Sequence, residues 1–210
     1  MLAELPATNP FGEKLTLVAA TKTQTVEAIN EAIAAGITDV GENKAQEFRD
    51  KFGKVLPCRY HFFGRLQSNK VKYLIGKACL IQSVDSEDVA REISRLSEKA
   101  GLTTDVLIEV NLGEEQKGGV PLTDLDSFYN KIRSLAGVRV KGLMTVLPDT
   151  DDRKTLSDKC LQMRNVYDIM KKDDNNIEYL SMGMSGDYKT AVAAGSNMIR
   201  IGSKIFGARK

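Results

Sequence analysis

The chain predicts an α/β protein in which a parallel sheet is covered by crossover helices. Compact apolar runs alternate with amphipathic helical runs. The alternation repeats eight times, which is the count of a closed (β/α)8 barrel. A length of 210 residues suffices for one sizeable core and leaves no internal room for a second domain. An open doubly wound sheet would give the same local pattern. Against it, no G-x-G-x-x-G follows the first strand, which ends instead in Thr21-Lys22-Thr23.

The first unit reads as a strand over Leu15 to Ala20 and a helix over Thr25 to Ala35, with Val26, Ile29, Ala32 and Ile33 on one stripe and Gly36 as its stop. Asp39 to Gly41 is the second strand, followed by a helix over Asn43 to Phe52. Arg59 to Phe63 is the third, with Gln67 to Leu74 helical beyond it. Cys79 to Val84 is the fourth, and Val89, Ile93 and Leu96 mark the helix over Ser86 to Lys99. Asp105 to Val110 is the fifth strand and Thr123 to Leu135 its helix. Val138 to Val146 leads into the longest helix, Asp151 to Lys172. Ile177 to Met182 precedes a helix over Asp187 to Gly195, and Met198 to Ile201 is the eighth strand. Residues 1–14 are a short extension, interrupted by Pro6 and Pro10, and 15–210 form the barrel domain.

Composition narrows the chemistry. An apolar fraction of 42% and a charged fraction of 28% belong to an ordinary soluble protein, and no stretch approaches a membrane span. The N-terminus lacks a basic leader and an uninterrupted apolar core, so a cytoplasmic location is expected. Three cysteines without CxxC spacing and a single histidine argue against a disulfide framework and a structural zinc site. A net charge of +2 gives no bulk attraction to nucleic acid. Lys70, Lys72 and Lys77, like Lys171 and Lys172, read as solvated helix faces with no aromatic residues interleaved as stacking platforms.

In a barrel, functional residues stand where the strands run out into the βα loops, all on one face. That rule selects Lys22, Asn43, His61 or Gly64, Ser83, Asn111, Met144, Ser185, and Gly202 with Ser203. Lys22 closes the apolar run LVAATK. An amine beside a dry core is disfavoured as an ammonium, and a neutral amine attacks aldehydes. The plainer reading is a surface lysine that begins a helix. Ser185 and Gly186 precede a helix, and Gly202 and Ser203 follow the last strand; both pairs could turn N–H groups and a hydroxyl toward an anion, or serve only as cap and turn. Arg200 lies inside the apolar run MIRIG. Pointing inward, its fixed charge could donate to a ring nitrogen; pointing outward, it would face a helix carboxylate. His61 reads as a satisfied core residue or a ring packed beside a ligand, without an acid–base role. Asn43 and Asn111 could orient a ligand or only form turns, and the methionines read mostly as core.

The runs LVAATKT, DVGENKAQE, HFFGRLQSNK, VNLGEEQKGG, KGLMTV, LSMGMSGDYKTAVAAGSNMIRIG and IFGAR together resemble the YggS/PROSC family of pyridoxal phosphate homeostasis proteins from Leu17 to Arg209. The joined SMGMSGDY and MIRIG carry most of the specificity. The resemblance implies a fold-type III (β/α)8 barrel like the N-terminal barrel of alanine racemase, with pyridoxal 5'-phosphate as cofactor. By the same resemblance Lys22 is the Schiff-base lysine, and Ser185, Gly186, Gly202 and Ser203 are the phosphate cradle. Arg200 partners the pyridine nitrogen, Asn43 and His61 are pocket residues, and Lys117 corresponds to a lysine implicated in handling the cofactor. Two departures stand out: the segment before the first strand is short, which predicts a less covered barrel floor, and serine replaces the usual threonine at Ser203.

The expected role is a monomeric carrier that buffers pyridoxal phosphate and delivers it to apoenzymes, with no metal, nucleic acid or membrane partner. A small racemase or decarboxylase is the alternative, for which no acid or base opposite Lys22 can be named from the sequence. A barrel that only binds partners is the third.

Overall fold

The computed structural model describes residues 4–114 and 116–207. Glu115, Ala208 and Arg209, which belong to two of the motifs above, lie outside the described residues, as do 1–3 and 210.

The strands are β1 (Thr16–Ala20), β2 (Asp39–Glu42), β3 (Arg59–Phe62), β4 (Leu80–Val84), β5 (Thr104–Asn111), β6 (Val120–Pro121), β7 (Val138–Met144), β8 (Tyr179–Ser181) and β9 (Met198–Ile201). Every neighbouring pair is parallel, in the order β4-β3-β2-β1-β9-β8-β7-β5. Pairing of β4 with β5, Ile81 against Val106 and Val84 against Ile108, closes the ring. An open sheet would leave those two edges unpaired. β6 is a two-residue addition on β5 outside the eight-stranded ring, absent from the sequence expectation because a Val-Pro pair carries no strand pattern.

The helices are α1 (Val26–Ala34), α2 (Ala45–Lys51), α3 (Glu87–Lys99), α4 (Leu125–Ile132), α5 (Arg153–Asp173), α6 (Tyr188–Ala193) and α7 (Ser203–Phe206). Thr25 caps α1 by accepting from the Ala28 N–H, and Asp152 caps α5 by accepting from the Lys154 N–H. The helix expected over Gln67 to Leu74 is a 3-10 helix, Ser68–Tyr73. Its buried side chain, Val71, and the buried Leu74 that caps its end are three apart, the spacing that eclipses on a three-residue turn. The helix expected from Thr123 likewise opens with a 3-10 turn, Leu122–Asp124, before α4.

Two apolar layers, with a small separate cluster of Tyr188, Val192, Ile199 and Ile201, hold the barrel. The larger joins strands to helices and includes Ile29, Phe48, Phe62, Ile93, Ile108, Ile132 and Tyr167. A smaller plug of Val18, Leu80, Leu107, Met144 and Met198 fills part of the barrel interior, where parallel strands buried on both faces put their inward residues. Gly142 shows how closely β7 and β8 approach: at φ +146 its added Cβ would stand 1.9 Å from the Tyr179 carbonyl oxygen.

Two surface expectations change. Arg49, Lys70 and Lys72 stand 5.2, 5.8 and 5.4 Å from the Tyr73 ring centre, and Lys77 stands 5.8 Å from that of Phe52. Aromatic rings therefore do lie among these cations. Tyr73 stands between Lys72 and Lys77 in the sequence itself, and Phe52 is the residue that ends α2. Lys171 is not simply solvated either, since it donates to Glu13 at 2.7 Å and to Tyr167 at 3.0 Å.

The floor, at the N-terminal ends of the strands, carries an open cavity of about 880 Å³ beside the segment 5–7. The chain that follows it is tied down through Asn9, which donates to the Gly195 carbonyl at 3.0 Å, and through Glu13, which accepts from Arg164 at 2.7 Å.

Candidate functional site

At the opposite end, the strand termini surround a cavity of about 440 Å³. Lys22 and Asn43, just beyond β1 and β2, line one side of it. Ser185, Gly186, Gly202 and Ser203, beyond β8 and β9, line another, and Arg200 reaches it from within β9. Seven of the eight candidate residues thus meet, although they come from strands far apart in the chain.

The lysine is held by what precedes and follows it. Thr21 is fully buried, and its hydroxyl donates to Glu42 Oε1 at 2.7 Å. Lys51 of α2 donates to the same oxygen at 2.7 Å and to the Thr21 carbonyl at 2.9 Å. Burial raises the pKa of Glu42 against the pull of these donors. Thr23 has φ 64, a left-handed conformation uncommon for a β-branched residue, and its N–H donates to Glu47 at 2.9 Å. Lys22 is half-buried between these two fixed neighbours.

Asn43 presents a buried Oδ1 without a hydrogen-bond partner in the structure. An orphaned acceptor on the wall of a cavity is a place for a ligand donor or a water. Across the cavity, the Ser185 hydroxyl oxygen lies 3.4 Å from the Gly202 N–H, so the two serine- and glycine-bearing turns adjoin. Their hydroxyl and N–H chemistry suits a phosphate.

Arg200 points inward and is 4% exposed. Its Nη1 donates to the Ser181 hydroxyl at 2.6 Å and carbonyl at 3.0 Å, and its Nη2 donates to the Thr145 carbonyl at 2.9 Å. Burial pulls its pKa down to about 10, against the opposing charges of Glu109 and Asp187. The guanidinium remains a fixed cation at neutral pH.

His61 does not line this cavity. It is fully buried deeper in the barrel, where Nε2 is 2.9 Å from Asp39 Oδ1 and Nδ1 is 3.1 Å from Gln82 Nε2. Burial lowers its pKa, which favours the neutral ring despite Asp39. The satisfied-core reading of His61 fits these contacts. The expectation of a cofactor-pocket residue does not, because β3 turns this side chain into the interior one layer below the mouth.

The other strand-end candidates take structural places. Ser83 donates to the Gly64 carbonyl at 2.6 Å, and Asn111 closes its own loop by bonding Gly113, Glu114 and Lys117 backbone groups. Met144 is in the interior plug. Lys117 donates to the Leu147 carbonyl at 2.8 Å and is outside the cavity lining.

Phe63, Arg65, Val146 and Met184 also line the cavity without having been singled out, and so does Glu109. Burial, reinforced by the charge of Asp85, pushes the Glu109 carboxyl up to about 7, with Arg200 and Arg65 opposing. Its signal was available: one acid inside the apolar run LIEVN is the pattern that drew attention to Arg200 in MIRIG. In the closed ring β1 and β5 are four strands apart, so Lys22 and Glu109 enter the cavity from opposite sides.

Comparison with known proteins gives one consistent result. A profile described as "Alanine racemase, N-terminal domain" matches residues 13–210. The "Pyridoxal phosphate homeostasis protein" of Aquifex aeolicus is 41% identical over 198 residues, covering 92% of this chain and 87% of that protein. The protein of the same description from Escherichia coli K12 is 34% identical over 203 residues, covering 94% and 87%. The solved structure of PipY from Synechococcus elongatus with pyridoxal phosphate bound is similar with a TM-score of 0.86 and 30% identity, covering 98% of this chain and 96% of that one. An alanine racemase of Clostridium difficile shares the fold at a TM-score of 0.75 and 14% identity, and this chain spans 52% of its length.

Proposed function

The chain belongs to the family of pyridoxal phosphate homeostasis proteins, and we propose that it holds this cofactor through Lys22 in the mouth cavity. Pyridoxal 5'-phosphate is the cofactor, and cofactor homeostasis is the function. The observation that carries the site is the meeting of one strand-end amine, two adjoining serine–glycine turns and an inward arginine around a single cavity. The residues fit the group: Asn43 Oδ1 has an unused lone pair for a donor on the ligand, and the Ser185 and Ser203 side offers hydroxyl and N–H groups for its phosphate.

When bound, the cofactor would supply an electrophilic aldehyde, the group with which a neutral primary amine condenses. Lys22 supplies that amine. Ser185, Gly186, Gly202 and Ser203 bind the phosphate, and Asn43 orients the ring. Arg200 would be the donor to the ring nitrogen and would keep that nitrogen unprotonated, since two donors cannot share the bond. An unprotonated pyridine is a weak electron sink, which suits storage and transfer better than turnover.

In this reading 15–210 is the cofactor-binding domain of a monomeric cytoplasmic carrier, and its partners are apoenzymes that receive the cofactor. Among the described residues no helix is long and apolar enough to cross a membrane. Addition of pyridoxal phosphate should produce a visible imine band, and borohydride should fix the label on Lys22. Lys22→Ala should abolish both. Exclusive labelling at another lysine would overturn the pocket.

A small racemase or decarboxylase gains one observation, a carboxyl opposite Lys22. Glu109 supplies the group that such chemistry would need. Turnover of free alanine or serine that depends on both Lys22 and Glu109 would establish that reading. Labelling of Lys22 without turnover supports the carrier.

A further inference from the structure

A continuous file of buried polar side chains crosses the barrel from floor to mouth. Asp39, on the floor cavity, meets His61 at 2.9 Å, His61 meets Gln82 at 3.1 Å, Gln82 meets Ser181 at 2.7 Å, and Ser181 meets Arg200 at 2.6 Å. His61, Gln82 and Ser181 are each 0% exposed. The chemistry of the two ends fixes the direction of every bond. A carboxylate accepts only, so His61 Nε2 donates to Asp39, and the neutral ring accepts at Nδ1. Gln82 Nε2 then donates to His61, which leaves Gln82 Oε1 to accept from the Ser181 hydroxyl. Ser181 Oγ, its proton committed, accepts from Arg200, a group that only donates. No link can reverse without leaving a buried atom unpaired.

We infer that His61, Gln82 and Ser181 are positioning residues for the cofactor site, locking the rotamer of Arg200 by a one-way hydrogen-bond chain anchored on Asp39. The chain holds Nη1 on Ser181 while the Thr145 carbonyl holds Nη2. With both ends of the fork fixed, the guanidinium cannot turn away from the cavity it lines. A site group held by such supporting bonds is set before the ligand arrives. The inference rests on the proposed site for its consequence, but its geometry can be read without the cofactor.

Gln82→Leu tests it, because residue 82 lies outside the mouth lining and keeps a similar volume while losing both links. In cofactor-free protein, exchange of the Arg200 guanidinium protons should quicken at least tenfold. In loaded protein the visible band should shift and cofactor should dissociate about tenfold faster, with the borohydride label still on Lys22. Gln82→Glu keeps an acceptor for Ser181 but has no donor for His61 Nδ1, so guanidinium exchange should be slowed only in part. Nitrogen-15 spectra of the sole histidine should show a protonated Nε2 and a bare Nδ1 in the wild type. A bare Nε2, or folded Gln82→Leu with unchanged guanidinium exchange, would overturn the inference. Should Gln82→Leu fail to fold, Ser181→Ala, which removes the last side-chain acceptor and leaves the main-chain carbonyl, carries the same expectations, and unchanged exchange there would also overturn it. Failure to label Lys22 in the wild type would overturn the proposed site and leave the cofactor-free readout of the chain to decide its own case.

Discussion

Glu109→Gln should stabilise the cofactor-free protein, and should do so only at neutral and alkaline pH. The Glu109 carboxyl stands at about 7 in the folded protein against 4.5 for an ordinary glutamate. The folded state therefore holds this proton more tightly than the unfolded chain, and stability falls as pH rises from 4.5 through 7. At about 1.4 kcal/mol per pKa unit, the full penalty is about 3 kcal/mol by pH 8 and under about 1 kcal/mol at pH 5. That figure already contains the attraction of Arg200 and Arg65, which oppose the shift. Glutamine keeps the shape and removes the charge. The melting temperature of the variant should rise by roughly 6–12 °C at pH 8 and by a couple of degrees or less at pH 5. Thermal melts at the two pH values decide it. An equal shift at both, or destabilisation at pH 8, would show that Glu109 is held as an ordinary carboxylate paired to Arg200, and the reasoning would fall.

The remaining expectations concern the frame around the site. Gly64→Ala places a Cβ 1.8 Å from the Asn43 carbonyl oxygen, so the β2–α2 turn must move. The variant should lose about 1–3 kcal/mol in a denaturant titration, with weakened cofactor retention. Glu13 is held down to about 2: burial opposes this, but hydrogen bonds from Lys171, Asn9 and Arg164 outweigh it. Its contribution is complete above 4.5 and lost as pH falls through 2. Glu13→Gln should therefore cost about 1–2 kcal/mol at pH 7, a figure reduced for the exposure of Lys171. The difference from wild type should vanish near pH 2.

The strands and the mouth were legible because parallel strands buried on both faces read as apolar runs, and because a barrel puts all its strand ends on one side. Lys22, Asn43, Ser185 and Gly202 needed only that rule. Closure itself was not local: it rests on the pairing of Ile81 with Val106, and periodicity alone left an open sheet standing. Glu109 and His61 show the same limit from two sides. Each is a polar residue in an inward-facing strand, and whether it reaches the mouth or stays below depends on its height along the barrel. Tyr73 was legible, since it follows Lys72 directly, whereas the approach of Phe52 to Lys77 joins segments twenty-five residues apart and was not.

The position of Lys22 shows how a lysine at the cavity mouth can be set by residues that do not line the cavity. Glu42 is fully buried with only one oxygen bonded, an arrangement that disfavours its charge unless Lys51 stays beside it. Lys51 also holds the Thr21 carbonyl, so the ion pair fixes the backbone immediately before Lys22. On the other side, Glu47 binds the Thr23 N–H and thereby supports a left-handed residue that would relax if released. Both carboxylates are reached by the one ammonium of Lys51, at 2.7 and 3.1 Å. The two supports are consequently not independent. Loss of the Lys51 charge would leave Glu42 buried without its cation and weaken the hold on Glu47 together, so the lysine at the mouth is placed by a charge cluster packed against the outside of the barrel wall.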